Sequence, residues 1–103
     1  MSKYRAVPTE VDGILFHSKG EAGRYSELRL LQRQGVITDL RLQPCFQITV
    51  NGSKICKYKA DFIYFEDGRE VIEDFKGMET PVFKLKWKLV QALFPQYVYK
   101  KTG

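Results

Sequence analysis

The chain has 103 residues, of which 44% are hydrophobic and 28% charged, so it has the composition of one globular domain and not of a disordered chain. Seventeen Lys and Arg residues against 12 Asp and Glu give a net charge of +5, which favours a polyanionic partner such as nucleic acid but indicates no fold. No apolar run has the roughly 18 residues of a membrane span, and residues 1–5 lead into polar sequence without the apolar core of a signal peptide. We therefore expect a cytoplasmic protein (in the host cytoplasm if a phage encodes it) that does not bind membranes.

The first third of the chain predicts an extended segment followed by a helix. Residues 4–16 have an extended pattern with a turn at Asp12-Gly13. Ser18 and Glu21 have the spacing of a capping box at a helix start, and Gly35 is a typical helix stop. On this pattern alone, Glu21 is favoured as a capping residue. The alternative is a carboxylate that reaches a functional site from the helix.

The central third predicts strands joined by tight turns. Asn51-Gly52 and Asp67-Gly68 are typical of two-residue hairpin turns. The strands predicted around these turns are 36–42, 46–50, 55–65 and 70–76.

A second helix and a short strand complete the prediction. Thr80-Pro81 is a good N-cap and first-turn pair for a helix over 82–94, which Pro95 ends. Residues 97–99 then predict a final strand. The order indicates an α/β fold with helices covering a central sheet.

The second hairpin places two carboxylates face to face. With Asp67-Gly68 at the turn, residues whose numbers sum to 135 are opposite, so Asp61 faces Asp74 at a Cβ separation of about 4.5–5.5 Å. Two close carboxylates repel each other, and a divalent cation such as Mg²⁺ relieves the repulsion. Lys76 shares this face because strand side chains alternate with a period of two. Glu73 points to the other face, where we expect it to be either solvated or structural.

Ordinary explanations of this pattern stay open. An acid-x-Lys triplet arises easily by chance, and an opposed pair of Asp residues can lie at a solvated sheet edge beside Lys57 and Lys59. The same register sets Lys59 opposite Lys76. Lys59 could contact a phosphate of a bound ligand there, or its position could be an accident of strand pairing. A slip of one residue would turn every side chain to the other face.

The remaining candidate residues have structural interpretations as well. With Asn51-Gly52 at the first turn, Cys56 faces Gln47 and is only diagonal to Cys45, so we expect two reduced cysteines. His17 is expected at the surface, without a catalytic role.

The second predicted helix carries a set of basic residues. Lys84 and Lys88 lie four residues apart, with Lys86 at the flank, and could follow a phosphate backbone or simply face solvent. Trp87 is expected to pack in the core.

Five segments of the chain carry a resemblance to known proteins. The segments are 12–14, 18–22, 42–44, 58–62 and 73–77. They make the chain similar to the PD-(D/E)XK nuclease superfamily, which includes restriction endonucleases, Holliday-junction resolvases and phage exonucleases. Within that likeness the chain more closely resembles a family of small phage and prophage proteins of unknown function. The likeness covers residues 4–99 and implies a restriction-endonuclease-like αβββαβ core with a mixed sheet flanked by helices.

The resemblance also implies roles for single residues. Asp61, Asp74, the backbone carbonyl of Phe75 and nearby Glu21 would bind Mg²⁺ or Mn²⁺. Lys76 would position or activate the attacking water. Gln43 resembles an accessory polar residue of such sites.

Three hypotheses follow for the function. The first is a metal-dependent DNA endonuclease of phage type, with branched or recombination intermediates as candidate substrates and a homodimer as an option. The second is a non-catalytic nucleic-acid-binding module that uses Arg41 and the lysines of the second helix. The third is a structural or regulatory phage protein with an accidental acidic pair.

Overall fold

The computed structural model describes residues 6–103. Within this range the fold is mixed α/β, as predicted, and residues 4 and 5 of the predicted extended segment lie outside it. In chain order the elements are β1 (Thr9–Val11), β2 (Ile14–Phe16), α1 (Lys19–Arg33), β3 (Ile37–Leu42), β4 (Cys45–Val50), β5 (Ser53–Lys59), β6 (Phe62–Glu66), β7 (Arg69–Phe75), α2 (Pro81–Leu93) and β8 (Val98–Thr102).

Helix α1 begins and ends where the sequence indicated. The Ser18 hydroxyl oxygen accepts a hydrogen bond from the amide of Glu21 at 3.1 Å, which satisfies one of the free N–H groups of the first turn. At the other end, Gly35 adopts a φ of +79°, a left-handed conformation that glycine reaches without steric cost. Strands β1 and β2 form a small hairpin before this helix, with the predicted turn at Asp12-Gly13.

Helix α2 begins at the predicted cap. The Thr80 hydroxyl oxygen accepts a hydrogen bond from the amide of Phe83 at 3.1 Å, and Pro81 occupies the first turn. The final strand is longer than the predicted 97–99 because it pairs along β7. Neither helix of the described range is long and apolar enough to cross a membrane.

The main sheet has four strands in the order β3-β6-β7-β8. Strand β7 pairs with β6 antiparallel and with β8 parallel, so the sheet is mixed. The parallel pairing follows from the chain order, because α2 forms the crossover between β7 and β8.

The sheet separates two hydrophobic clusters. On one face Phe62 and Tyr64 pack with Leu28 of α1, and on the other face Ile63 packs with Trp87 of α2. Successive β6 residues therefore face opposite helices, as the strand period requires. Trp87 is 9% exposed, which confirms its predicted place in the core.

The predicted strand 55–65 is wrong in one respect, because it is two strands in different sheets. The chain bends at Ala60 and Asp61, and β5 pairs with β4 while β6 joins the main sheet. The partner strand bends at the same level, where the Gln43 amide donates to the Asp61 carbonyl (3.0 Å) and the Ala60 amide to the Pro44 carbonyl (3.0 Å). The β4–β5 hairpin therefore forms a separate two-stranded sheet while these hydrogen bonds are kept. One side of the hairpin contacts α2.

The register of the β4–β5 hairpin also differs from the prediction. The turn at Asn51-Gly52 is present, but an irregularity between Ile48 and Thr49 shifts the pairing by one residue. Cys56 therefore pairs with Ile48 and not with Gln47. Cys45 and Cys56 are both free, as predicted.

Candidate functional site

The predicted register of β6 with β7 is confirmed up to the residue pair before Asp61 and Asp74. Phe62 pairs with Glu73 and Ile63 with Ile72, so the paired residue numbers sum to 135 as predicted. The regular pairing ends there, because the Asp61 amide donates to the Glu73 carbonyl at 3.2 Å. Asp61 lies at the bend immediately before β6. Its Oδ2 atom accepts a hydrogen bond from the Phe75 amide at 2.8 Å, which fixes the side chain against the end of β7.

Asp74 is a fully buried carboxylate with one satisfied oxygen. Its relative exposure is 0%. Oδ2 accepts a hydrogen bond from the hydroxyl of Tyr58, which comes from β5 in the other sheet. Within residues 6–103, Oδ1 has no hydrogen-bond partner, although Lys76 Nζ lies 3.4 Å away. A buried carboxylate oxygen without a donor is costly, and it is suited to contact a cation.

Lys76 is held between the carboxylate and an aromatic ring. Its Nζ atom lies 4.8 Å from the ring centroid of Phe83, a cation–π contact from the first turn of α2. Its amide donates to the Thr102 carbonyl at 2.8 Å. The side chain is 32% exposed, so the ammonium group can contact a ligand in the adjoining cleft.

Glu21 takes part in the helix cap through its backbone, and within residues 6–103 its carboxylate does not accept the Ser18 amide as a capping box would require. Its amide contributes to the helix cap, while its side chain is 7% exposed and lies toward His17, with 3.8 Å between Oε1 and Nδ1. Gly20 permits this approach of α1 to β7, because a Cβ atom there would lie 2.6 Å from Cζ of Phe75. The helix start is therefore tightly packed on the strand that carries Asp74.

Most of the candidate residues line one open cleft of about 660 Å³, but Asp74, which is fully buried, is not among the described residues that line it. Its lining includes Glu21, Gln43, Lys59, Asp61 and Lys76. Gln43 has a φ of +54°, an uncommon value for a non-glycine residue, at the bend that Asp61 also occupies. The cleft thus combines carboxylates with amine side chains on its walls.

The lysines assigned to DNA binding are distributed over several elements. Lys59 lines the cleft, but the predicted pairing of Lys59 with Lys76 is wrong, because Lys59 belongs to β5 and pairs with Cys45. Lys84 and Lys88 are exposed on α2. Lys86 is half-buried and donates to the Lys57 carbonyl at 2.9 Å, so it fastens α2 to the hairpin.

The other face of β7 carries a second buried carboxylate. Glu73 is 0% exposed, so the solvated alternative for this residue is wrong and the structural one is correct. Arg24 of α1 donates to both of its oxygens, at 2.6 and 2.9 Å. Tyr64 (2.6 Å) and Thr102 (2.9 Å) complete the set of donors. Adjacent residues of one strand therefore hold one fully paired and one incompletely paired carboxylate.

The pKa values of these two acids move in opposite directions. Burial and the adjacent Asp61 carboxyl raise the pKa of Asp74 to about 7. Burial also raises the pKa of Asp61 and of Glu21. Burial alone would raise the pKa of Glu73, but the hydrogen bonds from Arg24, Tyr64 and Thr102 outweigh it and hold that pKa below its usual range.

These shifts predict how the stability of metal-free protein depends on pH. The folded state keeps a proton on Asp74 that the unfolded chain releases, so stability falls as pH rises from near 3.8 to about 7. The Glu73 contribution has the opposite sign and is lost as pH falls below about 4.5. With chelator present, we expect the urea midpoint to be higher at pH 5 than at pH 8. Asp74→Asn should flatten this difference, and an equal difference in the variant would contradict the assignment to Asp74.

The residues present fit a divalent cation that keeps part of its water shell. Within residues 6–103 no three His, Cys, Asp or Glu side chains are placed to hold a metal ion by themselves. Mg²⁺ commonly takes only one or two carboxylates and retains several waters. Asp74, whose Oδ1 has no donor in the described range, and Asp61, whose Oδ2 accepts the Phe75 amide, supply the two carboxylates of that smaller requirement.

Sequence reasoning missed two residues at this site. Tyr58 lies in another sheet and reaches Asp74 only through the bend, so no local pattern connects them. His17 is exposed, as predicted, but it lines the cleft beside Glu21. The spacing of four residues between His17 and Glu21 was a usable signal, because residues so spaced meet at a helix start.

Comparison with known proteins gives a family and no named relative. No curated protein and no solved structure matches the chain significantly. Residues 1–102 match the family described as "Protein of unknown function (DUF1064)". Because this match covers nearly the whole chain, the protein belongs to the DUF1064 family.

Proposed function

We propose that this protein is a metal-dependent deoxyribonuclease that hydrolyses phosphodiester bonds in DNA. Its active site comprises Glu21, Asp61, Asp74 and Lys76, on a core that we take to be restriction-endonuclease-like. The observation that carries the proposal is the buried Oδ1 of Asp74, which has no hydrogen-bond donor within residues 6–103 and lies 3.4 Å from Lys76 Nζ. A buried carboxylate oxygen without a donor is suited to bind a cation, and the cation and Lys76 together are suited to a negatively charged substrate.

The cation in this proposal is Mg²⁺ or Mn²⁺. Asp61, Asp74 and the Phe75 carbonyl would hold it, with Glu21 nearby in the cleft. When bound, such an ion neutralises phosphate charge and makes a bound water more acidic. The two Asp side chains need little rearrangement for this task, because Tyr58 and the Phe75 amide already fix them.

Lys76 has the role of an electrostatic and positioning group. Its ammonium group is restrained by Asp74 and by the Phe83 ring and is still partly exposed. From there it can donate to a phosphate oxygen or orient the attacking water. Gln43, on the same cleft, is an accessory polar contact for substrate.

The DNA backbone would be bound by basic residues around the cleft. Lys59 lines the cleft itself, and Lys84 and Lys88 are exposed on α2, whereas Lys86 would have to release the Lys57 carbonyl before it could contact phosphate. Contacts of this kind give affinity that falls with salt and carry no sequence information.

The test is cleavage of a labelled panel of DNA structures. Duplex, single strand, flap and four-way junction are incubated with Mg²⁺, Mn²⁺ or chelator. We expect metal-dependent cutting that Lys76→Ala lowers by about a hundredfold or more, because a positioned electrostatic group is removed. Lys54→Ala is the matched control, since Lys54 is an exposed lysine of β5.

Each result of this panel decides between hypotheses. Cutting that survives Lys76→Ala would contradict the assigned site. Preference for the junction would support branched DNA as substrate, and sedimentation of the protein on that junction would test the homodimer. A lack of cutting on every structure would leave the nuclease proposal without support.

A binding module without activity is the second candidate. Lys84 and Lys88 are exposed on one helix, and no three acidic, His or Cys side chains within residues 6–103 are placed to hold a metal together. This candidate predicts tight binding to DNA without cutting. Each of Lys84→Ala and Lys88→Ala should then reduce the slope of log affinity against log salt by about 1.

A further inference from the structure

The carboxylates of Asp61 and Asp74 each have one oxygen that already accepts a hydrogen bond from the protein. Asp61 Oδ2 accepts the Phe75 amide at 2.8 Å, and Asp74 Oδ2 accepts the Tyr58 hydroxyl. The remaining oxygen of Asp74, Oδ1, is buried without a hydrogen-bond partner in the described range. Asp74 therefore has a single oxygen available for a further contact.

The hydroxyl of Tyr58 is fixed in place by its surroundings. Tyr58 is 3% exposed, with the Phe46 ring stacked 6.3 Å away and the Trp87 ring edge-on at 6.2 Å. From this position the Tyr58 hydroxyl donates to Oδ2 of Asp74. The ring cannot swing away from Asp74 without disturbing the cluster between α2 and the β4–β5 hairpin.

Divalent cations differ in how they use a carboxylate. Mg²⁺ demands a compact octahedral shell at about 2.0–2.1 Å and takes single oxygens while it keeps its waters. Ca²⁺ is larger, accepts 6–8 ligands and often takes both oxygens of one carboxylate. A carboxylate restricted to one oxygen is therefore a better match for the smaller ion.

We propose that Tyr58 determines the metal specificity of this site by holding Oδ2 of Asp74, so that Asp74 offers one oxygen and the site selects Mg²⁺ or Mn²⁺ against Ca²⁺. Tyr58 is a positioning residue, because it acts through Asp74 and touches neither metal nor substrate. The inference rests on the proposed function, since it assumes that Asp74 is a metal ligand.

The test measures metal binding to the protein alone. Titration calorimetry gives the dissociation constants for Mn²⁺ and for Ca²⁺, and their ratio reports specificity apart from activity. In Tyr58→Phe we expect the preference for Mn²⁺ over Ca²⁺ to fall by about tenfold, the scale of effects from residues that orient metal ligands.

Two tyrosines of the core provide matched controls. Tyr64→Phe removes a hydroxyl from the buried carboxylate of Glu73, on the other face of β7. Tyr99→Phe removes one that donates to the backbone carbonyls of Val90 in α2 and of Phe94 directly after it. We expect both variants to keep the wild-type ratio.

A measurement on wild-type protein makes the test independent of any variant's folding. Infrared spectra of protein with labelled Asp carboxylates distinguish coordination by one oxygen from coordination by two, through the separation of the carboxylate stretching bands. The one-oxygen pattern with Mn²⁺ is expected. A two-oxygen pattern for Asp74, or an unchanged Mn²⁺ to Ca²⁺ ratio in folded Tyr58→Phe, would overturn the inference while leaving the nuclease proposal intact. Failure of the wild type to bind either ion would refute both.

Discussion

Asp74→Asn is expected to abolish both DNA cleavage and the rise in melting temperature that Mn²⁺ produces in the wild type. Asn keeps the size of the side chain but cannot carry the negative charge that a cation needs. We expect activity to fall by at least about a hundredfold to a thousandfold. Without metal the variant should be at least as stable as wild type at pH 8, because it removes a buried charge whose pKa is raised to about 7. Thermal melts with and without Mn²⁺ measure both stability effects.

The neighbouring residue provides the control for Asp74→Asn. Glu73→Gln changes an equally buried carboxylate on the opposite face of β7, where Arg24 is its ion-pair partner. It should lower the melting temperature in metal-free buffer and leave the increment due to Mn²⁺ unchanged. If Mn²⁺ still stabilised Asp74→Asn, the metal would bind elsewhere.

Arg24→Met has the largest expected effect on folding. The substitution leaves the Glu73 carboxylate, which is 0% exposed, without its only charged partner among the hydrogen bonds of the described residues. Breaking a buried pair in this way costs about 3–5 kcal/mol, which is a large part of the roughly 5–15 kcal/mol that stabilises a domain. Urea unfolding at pH 7 measures the loss. The deficit should shrink as pH falls, because a protonated Glu73 no longer needs the guanidinium.

The exposed Arg41–Glu70 ion pair tests whether burial is the reason for the large loss of stability expected in Arg24→Met. Arg41 donates to Glu70 at 2.6 Å, a distance equal to that of the Arg24–Glu73 contact. The Arg41 side chain is 44% exposed and that of Glu70 26% exposed, so Arg41→Met should cost less than about 1 kcal/mol. Similar losses in Arg24→Met and Arg41→Met would mean that desolvation of Glu73 is not what makes its pairing important.

Arg41 also bears on the binding-module hypothesis. Arg41 contacts Asp39 and Glu70, so part of its charge is already neutralised before any nucleic acid binds. Lys84 and Lys88 are exposed and have more freedom to contact phosphate. Variants of these two lysines are therefore the better test of nucleic-acid affinity.

Much of the local structure follows from short sequence signals. Ser18, Thr80 and the two-residue turns fix where helices and hairpins begin, since each satisfies backbone groups or supplies a positive φ within a few residues. The register of β6 with β7 followed from Asp67-Gly68 alone, because that hairpin has no irregularity. The β4–β5 hairpin shows the limit, since the irregularity between Ile48 and Thr49 shifts the register that Asn51-Gly52 predicts.

The sequence by itself determined the α/β class, both helix starts and the register of β6 with β7, because each depends on interactions between residues close along the chain. The tertiary structure alone decided where the strand over 55–65 divides and therefore which sheet Tyr58 and Lys59 join. It also decided that Glu73 is fully paired while Asp74 keeps one oxygen without a donor among the described residues. These outcomes depend on the bend at Ala60 and on the packing of α1 and α2 against opposite faces, which no pattern of period two or 3.6 contains.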